Sequence, residues 1–203
     1  MTIIKSILLC LFSTIMIFSG KEFSDEVGNI RPMFLQVTAI KNDPLLDDVY
    51  NKMTENGYRV VYQIKKAPDG KDFLDGLLSV FTKNEKLVCL ASYRDGLPDG
   101  VEVLWNESGQ IISQTTFSKG KKIGNVLMWS NQGVLVARET YKFGKRVGEH
   151  LYWGEDGEIR RVAYWNNDDL EKIALYGSRD GPKVLYGLDA KKYLIEAFRI
   201  RTE

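Results

Sequence analysis

Short runs in which apolar and polar residues alternate recur along the second half of the chain. From Val101 to Trp105 every second residue is Val or Trp, while Glu102 and Leu104 fall on the opposite side. A side-chain period of two is typical of a β-strand. A second run with β-forming residues, 111–117, begins after a short polar segment. The pattern therefore predicts a β-hairpin.

The hairpin pattern repeats with a fixed period. Trp105, Trp129 and Trp153 are spaced by 24 residues, and glycine and aromatic positions keep the same spacing without an insertion. Such a period indicates a repeat array whose units stack to bury their apolar faces, whereas a phosphate-binding glycine loop occurs once. The repeated structural positions are Tyr93, Gly96, Gly100, Trp105 and Gly109, then Phe117, Gly120, Gly124, Trp129 and Gly133, then Tyr141, Gly144, Gly148, Trp153 and Gly157.

Glycines mark the predicted turns. The segments NESGQ, SNQGV and GEDGE place Gly109, Gly133 and Gly157 at the same point of a short hairpin loop. A left-handed backbone position in such a loop favours glycine. Gly96 and Gly100 bracket the segment GLPDG, which we expect to form the connection to the next strand with tight backbone geometry.

Fainter copies flank the three clear units. One period earlier, the positions of Gly100, Trp105, Gly109 and Ile111 are taken by Gly76, Phe81, Glu85 and Leu87. One period later, Gly181 takes the position of Gly157, with Tyr176 beside the Trp position. Degenerate end units are expected of an array that needs caps. The array is predicted over residues 67–184, and residues 185–203 are predicted as a C-terminal cap, either strand or helix.

The first nineteen residues differ from the rest of the chain. They contain Lys5, no acidic residue and an apolar run from Ile7 to Phe18, followed by a small residue, Ser19. This order predicts a signal peptide over residues 1–19, because the run is shorter than a membrane span of about 20 residues. An uncleaved anchor or a buried strand is the alternative. We expect export to the periplasm or cell envelope, or secretion.

Residues 20–66 are predicted to cap the first edge of the array. The segment KNDPLLDDVYNKMTENGY has the features of a helix, with Asp43 as N-cap, Pro44 at the first position and Gly57 just past the end. The β-forming run YRVVYQI follows it. A terminal repeat needs such a cover because it otherwise exposes the face that a neighbour would bury.

Charge and cysteine content exclude two classes of function. The chain has 28 Lys and Arg and 27 Asp and Glu, and only Lys5 lies in the predicted signal peptide, so the mature chain is balanced. Nucleic-acid binding needs a basic footprint, so no nucleic acid is expected as a partner. Cys89 is then the one remaining cysteine, and its setting in LVCLA predicts a small buried hydrophobe rather than a nucleophile.

The sequence offers little for catalysis. His150 is the only histidine, and its repeat position, shared with Glu102 and Val126, predicts a variable surface residue. Asp168 and Asp169 lie where the fourth unit should turn, which predicts a turn, with a calcium site as the alternative. No group of Cys and His has metal-ligand spacing. We therefore expect no enzyme activity, no cofactor and no metal.

One side of the predicted strands varies between units. The Trp side is standardised, whereas the opposite side carries Leu104, Met128, His150 and Tyr152. An apolar and aromatic stripe on a single-layer sheet predicts a partner-binding surface. The alternative is that this stripe packs against the N-terminal helix or the C-terminal segment.

The succession aromatic-x-x-Gly-x-x-x-Gly, with Trp five and Gly nine residues after the second glycine, resembles the bacterial variant of the membrane occupation and recognition nexus (MORN) repeat. The three clear units carry it over roughly half the chain. The resemblance implies a mainly β fold, an elongated single sheet of tandem hairpins, here with a small α/β N-terminal cap. Bacterial relatives are often described as antitoxin-like, which implies protein binding, and eukaryotic relatives are associated with phospholipid membranes.

These features predict an exported, non-enzymatic repeat protein that binds a protein partner through its sheet face or edges. The alternative is a structural protein of the cell envelope or a protein of the membrane surface, associated with phospholipid.

Overall fold

The computed structural model describes residues 49–179 and 181–199. They form one antiparallel sheet of 13 strands and one C-terminal helix. The predicted signal peptide and the predicted caps of the N-terminal helix, Asp43 and Pro44, lie outside these residues. The elements are β1 (Val49–Met53), β2 (Arg59–Lys66), β3 (Asp72–Phe81), β4 (Leu87–Arg94), β5 (Leu97–Trp105), β6 (Ile111–Ser118), β7 (Lys121–Trp129), β8 (Leu135–Lys142), β9 (Lys145–Arg146), β10 (Gly148–Trp153), β11 (Ile159–Asn166), β12 (Asp169–Leu175), β13 (Lys183–Tyr186) and α1 (Gly187–Arg199).

The strands are ordered in space as they are in the chain. Each pairs antiparallel with the next, except that the two-residue strand β9 pairs with β8 and leaves β10 to continue the sheet from β8. Short hairpin loops enforce this order because consecutive strands joined by a tight turn must be neighbours. The prediction of a mainly β fold built from tandem hairpins in one sheet is confirmed.

The loops at one end of the sheet share one backbone pattern. In the loop 106–110 the N–H of Asn106 donates to the carbonyl of Gln110 at 2.9 Å, and the N–H of Gly109 donates to the carbonyl of Asn106 at 3.0 Å. Gly109 has a φ of 86°, the left-handed value that the sequence predicts. The loops 82–86, 130–134 and 154–158 repeat both hydrogen bonds. In the first of them Glu85 holds the same conformation without glycine, with a φ of 57°.

The turns at the other end are shorter than the sequence predicts. Asp95 and Gly96 form a two-residue turn with φ values of 50° and 78°, the two positive values of a type I′ hairpin. The rest of GLPDG is therefore strand, since β5 begins at Leu97. Gly100 lies within β5, where an added Cβ would come within 2.9 Å of the Ser92 Cβ. The expected tight connection across the whole segment is thus wrong, and Gly100 instead allows close approach of β4.

The predicted N-terminal helix is wrong for residues 49–53. They form β1, which pairs antiparallel with β2, and the loop 54–58 follows with Gly57 at a φ of 77°. Tyr50 stacks on Tyr62 of β2 with ring centroids 5.6 Å apart. Pairing and stacking against β2 therefore outweigh the local helical signals, as tertiary contacts often do. The predicted C-terminal cap, for which strand and helix were the alternatives, contains both, because β13 leads directly into α1.

The sheet carries two clusters of buried apolar residues. The first lies in β2–β5 and includes Cys89, which is 3% exposed, so its predicted burial is confirmed. The second lies under α1, where Ala190 packs with Ala163, Leu170 and Ile173. Within the described ranges, α1 lacks the length and apolar character needed to cross a bilayer.

Candidate functional site

The four residues of the predicted partner-binding stripe do lie on one face of the sheet. The strand register pairs Leu104 with Ser113, Ser113 with Met128, Met128 with Ala137 and Ala137 with Tyr152, which forms one continuous row. Directly paired residues of a sheet share a face, and His150 precedes Tyr152 by two positions. The period of two seen in the sequence thus places these residues correctly relative to one another.

That face is more buried than the sequence predicts. Leu104 is 6% exposed and packs in the first apolar cluster, while His150 is fully buried. The expectation that His150 is a variable surface residue is therefore wrong. Tyr152 is half-buried and packs against the cluster under α1, as the alternative of packing on the C-terminal segment predicts. Met128 is also half-buried. A role of these four residues in partner binding stays a prediction.

His150 is held by neighbouring strands. Its Nε2–H donates to the backbone carbonyl of Thr140 at 3.0 Å, because a carbonyl can only accept. Its ring lies 5.7 Å from the ring of Tyr141 and 5.9 Å from that of Trp165. Nδ1 is buried and has no hydrogen-bond partner within the described part of the chain. The neutral ring protonated on Nε2 therefore fits this environment.

The environment of His150 disfavours its charged form. Burial lowers the pKa of His150 below its ordinary value, and Arg146 and Arg161 lower it further. The Thr140 carbonyl and the carboxylate of Glu139 oppose this shift. The net direction means that His150 is neutral in the folded protein at neutral pH.

Glu139 links two tyrosines beside His150. Its Oε1 accepts the phenol hydrogen of Tyr152 and its Oε2 that of Tyr141, each at 2.8 Å. Burial and the charge of Glu139 raise the pKa of Tyr141 to about 12, and the same two causes raise the pKa of Tyr152 above its usual value. The guanidinium of Arg161 lies 3.8 Å from the Tyr152 ring centroid.

Sequence reasoning missed this cluster, although the repeat contains a signal for it. In the first unit Ala91 pairs directly with Glu102, and one period of 24 applied twice leads to Glu139 and His150. The strand pairing of the first unit, carried two periods along the chain, therefore places an acid opposite a histidine. The guanidinium of Arg146 in β9 lies 4.7 Å from the Trp165 ring centroid, so the cluster connects β8, β9, β10 and β11. The hydrogen bond from His150 goes to backbone and not to a Ser or Cys nucleophile.

Asp168 lies in a turn, as predicted, whereas Asp169 is the first residue of β12. Asn167 and Asp168 have φ values of 50° and 71°, and Asp168 Oδ1 accepts the N–H of Arg146 at 2.9 Å. Asp169 instead pairs with Lys191 of α1 at 2.7 Å. Across residues 49–179 and 181–199, no three His, Cys, Asp or Glu side chains are grouped as metal ligands.

One exposed surface lies at the C-terminal edge of the sheet. β13 pairs with β12 along one side, and no other described strand pairs with its second side. Val184 is 42% exposed and Tyr186 is 65% exposed, and both lie on the face opposite to α1, since Leu185 packs in the cluster under that helix. We call β13 with these two side chains the edge surface.

A second exposed surface lies at the two-residue turns. Phe143 is 70% exposed at the tip of its turn, with a φ of 52° that is unusual for a bulky residue. The neighbouring turn lies against it, since the N–H of Gly144 donates to the carbonyl of Lys122 at 2.8 Å. We call this the basic turn surface; besides Phe143 it contains the exposed residues Lys119, Lys121, Lys142 and Lys145.

No protein-family model matches the chain, and a search of curated proteins finds no match.

Proposed function

We propose that this chain is an exported, non-enzymatic protein-binding module of the MORN-variant type. It takes up an extended segment of a partner protein as an additional strand beside β13. Strand addition supplies main-chain hydrogen bonds for affinity, and alternate side chains supply specificity.

The observation that carries this proposal is the edge surface. An open sheet edge presents unpaired backbone N–H and C=O groups, which are a template for another strand. β13 ends the described strand order, and Val184 and Tyr186 stand exposed on one face beside that edge. Tyr is among the residues that most often anchor protein interfaces.

The proposal is tested by partner capture from the envelope fraction with the exported protein as bait. Tyr186→Ser removes an exposed anchor and should weaken capture by about tenfold, since interface anchors contribute roughly 1 to 2 kcal/mol or more. Phe143→Ser is the matched control, because Phe143 is similarly exposed but lies at a turn distant in sequence from β13. Equal loss in both variants, or no loss in either, would contradict the proposal.

The basic turn surface favours a second candidate, a protein of the membrane surface. Four exposed lysines lie in or beside the same two neighbouring turns as the exposed phenylalanine, and the combination of cationic and aromatic side chains suits the interface of an anionic bilayer. Here the roles of the variants reverse. Co-sedimentation with vesicles of anionic lipid should fall for Phe143→Ser and remain for Tyr186→Ser, and binding should weaken as salt is raised.

A further inference from the structure

We infer that His150 is an acid-sensitive switch: when its imidazole takes up a proton, β10–β13 and α1 open as one unit, separately from β2–β5. The inference does not depend on the proposed function, because it concerns the packing of the array and not the occupant of the edge surface. It rests on the burial of His150, on its contacts with β8 and β11, and on the separation of the two apolar clusters.

The position on this ring that can take up a further proton is buried. Nε2 already carries the hydrogen that it donates to the Thr140 carbonyl at 3.0 Å, so a second proton must bind at Nδ1. Across residues 49–179 and 181–199, Nδ1 has no hydrogen-bond partner. A protonated Nδ1 would thus be an unsatisfied donor on a charged ring, which destabilises the closed packing unless the ring reaches water.

The groups around the ring do not provide a free acceptor for that proton. The titratable groups that face His150 are Glu139 and Tyr141 of β8, Arg146 of β9, Tyr152 of β10 and Arg161 of β11. The two arginines are cations and oppose a further positive charge beside them. Glu139 is the one carboxylate in this set, and each of its oxygens already accepts a phenol hydrogen.

The contacts of His150 lead to the C-terminal end of the sheet. Its ring lies 5.9 Å from that of Trp165 in β11, and Trp165 packs against the cluster under α1. Tyr152, two residues further along β10, packs against the same cluster, and so does Leu185 of β13. A charged imidazole that moves towards water must displace these neighbours, so the loss of packing extends to β13 and α1.

The first apolar cluster is separated from this region. Its buried members lie in β2–β5, and neither cluster includes a described residue of β7 or β8. Each unit of a repeat array contacts only its neighbours, and cooperative parts of a protein can open separately from the rest. The β2–β5 end of the sheet therefore stays folded when the C-terminal end opens.

Amide hydrogen exchange at pH 7 and pH 5.5, corrected for intrinsic exchange rates, tests the inference. Amides of β11 and β12 should have lower protection factors than those of β4 at both pH values. Their protection should fall about eightfold from pH 7 to pH 5.5, the factor for one histidine with an unfolded pKa of about 6.5 that stays neutral when closed. His150→Gln, which keeps a side-chain N–H, should remove this fall. Equal protection of β4 and β11, or protection of β11 that does not change with pH, would overturn the inference.

Proton magnetic resonance of the wild-type protein gives a second test that needs no variant. His150 is the only histidine, so its ring signals are unambiguous. In the closed protein they should not titrate near the ordinary value of about 6.5, and a titrating imidazole signal should appear only with the open form. A ring that titrates near this value while β11 and β12 keep their protection would overturn the inference, since the proton would then bind without opening.

Discussion

His150 donates a hydrogen bond from Nε2 to the carbonyl oxygen of Thr140, and the backbone N–H of Val147 donates to the same oxygen, both at 3.0 Å. Thr140 lies where β8 passes from pairing with β10 to pairing with β9. The imidazole therefore lies at a gap in the ladder of hydrogen bonds between strands, and it donates a hydrogen bond to a backbone carbonyl there. The equivalent residues Glu102 and Val126 are buried as well, so this position is buried in each clear unit, and in the third unit the contact gives the buried imidazole a hydrogen-bond partner.

Acidification should destabilise the protein through His150. Its pKa is lowered in the folded state, so the unfolded chain binds more protons, and stability is present in full above the unfolded pKa of about 6.5 and is lost as pH falls below it. Chemical denaturation at pH 7 and pH 5.5 measures this loss. Because His150 is the only histidine, His150→Gln should flatten the dependence between these pH values. An unchanged slope would contradict the assignment.

Alkaline pH should lower the stability of the folded protein through Tyr141. Its pKa is raised to about 12 in the folded protein, so the stability it contributes is present below the unfolded value of 10.0 and is lost as pH rises towards 12. In a spectrophotometric titration, the wild-type protein should keep one more protonated tyrosine near pH 11 than Tyr141→Phe does. Identical titration curves near pH 11 would contradict the burial of this phenol beside Glu139.

The hydrogen bond between Tyr152 and Glu139 should contribute measurably to stability. Tyr152→Phe removes one donor to a half-buried carboxylate and should lower the free energy of unfolding by about 1 to 3 kcal/mol. Tyr176→Phe is the matched control because Tyr176 is 41% exposed, and it should change stability by less than about 0.5 kcal/mol. Denaturant unfolding of the two variants makes the comparison, and equal values would exclude a role for the cluster.

The hairpin loops should need glycine for its backbone and not for space. Gly133 has a φ of 84°, and an added Cβ would meet only the Gln110 side chain at 3.7 Å. Gly133→Val should therefore lower stability by about 1 kcal/mol or more through strain. The neighbouring Gln132→Val should cost clearly less. Thermal unfolding distinguishes the two, and equal melting temperatures would be inconsistent with a left-handed position at Gly133.

Much of the fold could be predicted because the same sequence pattern of strands and loops recurs in each unit of the repeat. Gly109 and its equivalents fix the loops, and the alternation around Trp105 fixes strands and faces. The helix predicted from Asp43 onwards was wrong at residues 49–53. Pairing with β2 determines the structure of these residues, and the local sequence does not indicate that pairing. The burial of His150 was missed for a similar reason. Its neighbours Tyr141, Arg161 and Trp165 come from other strands, and the repeat position alone does not reveal that they close over the ring.

The central claim is that β13 takes up another strand, and amide hydrogen exchange measures it most directly. The exchange of residues 183–186 should slow when the protein is bound to its captured partner, while exchange in the centre of β4 stays the same. Protection that instead appears only at the turns around Phe143, with residues 183–186 unchanged, would contradict the claim and assign binding to the basic turn surface.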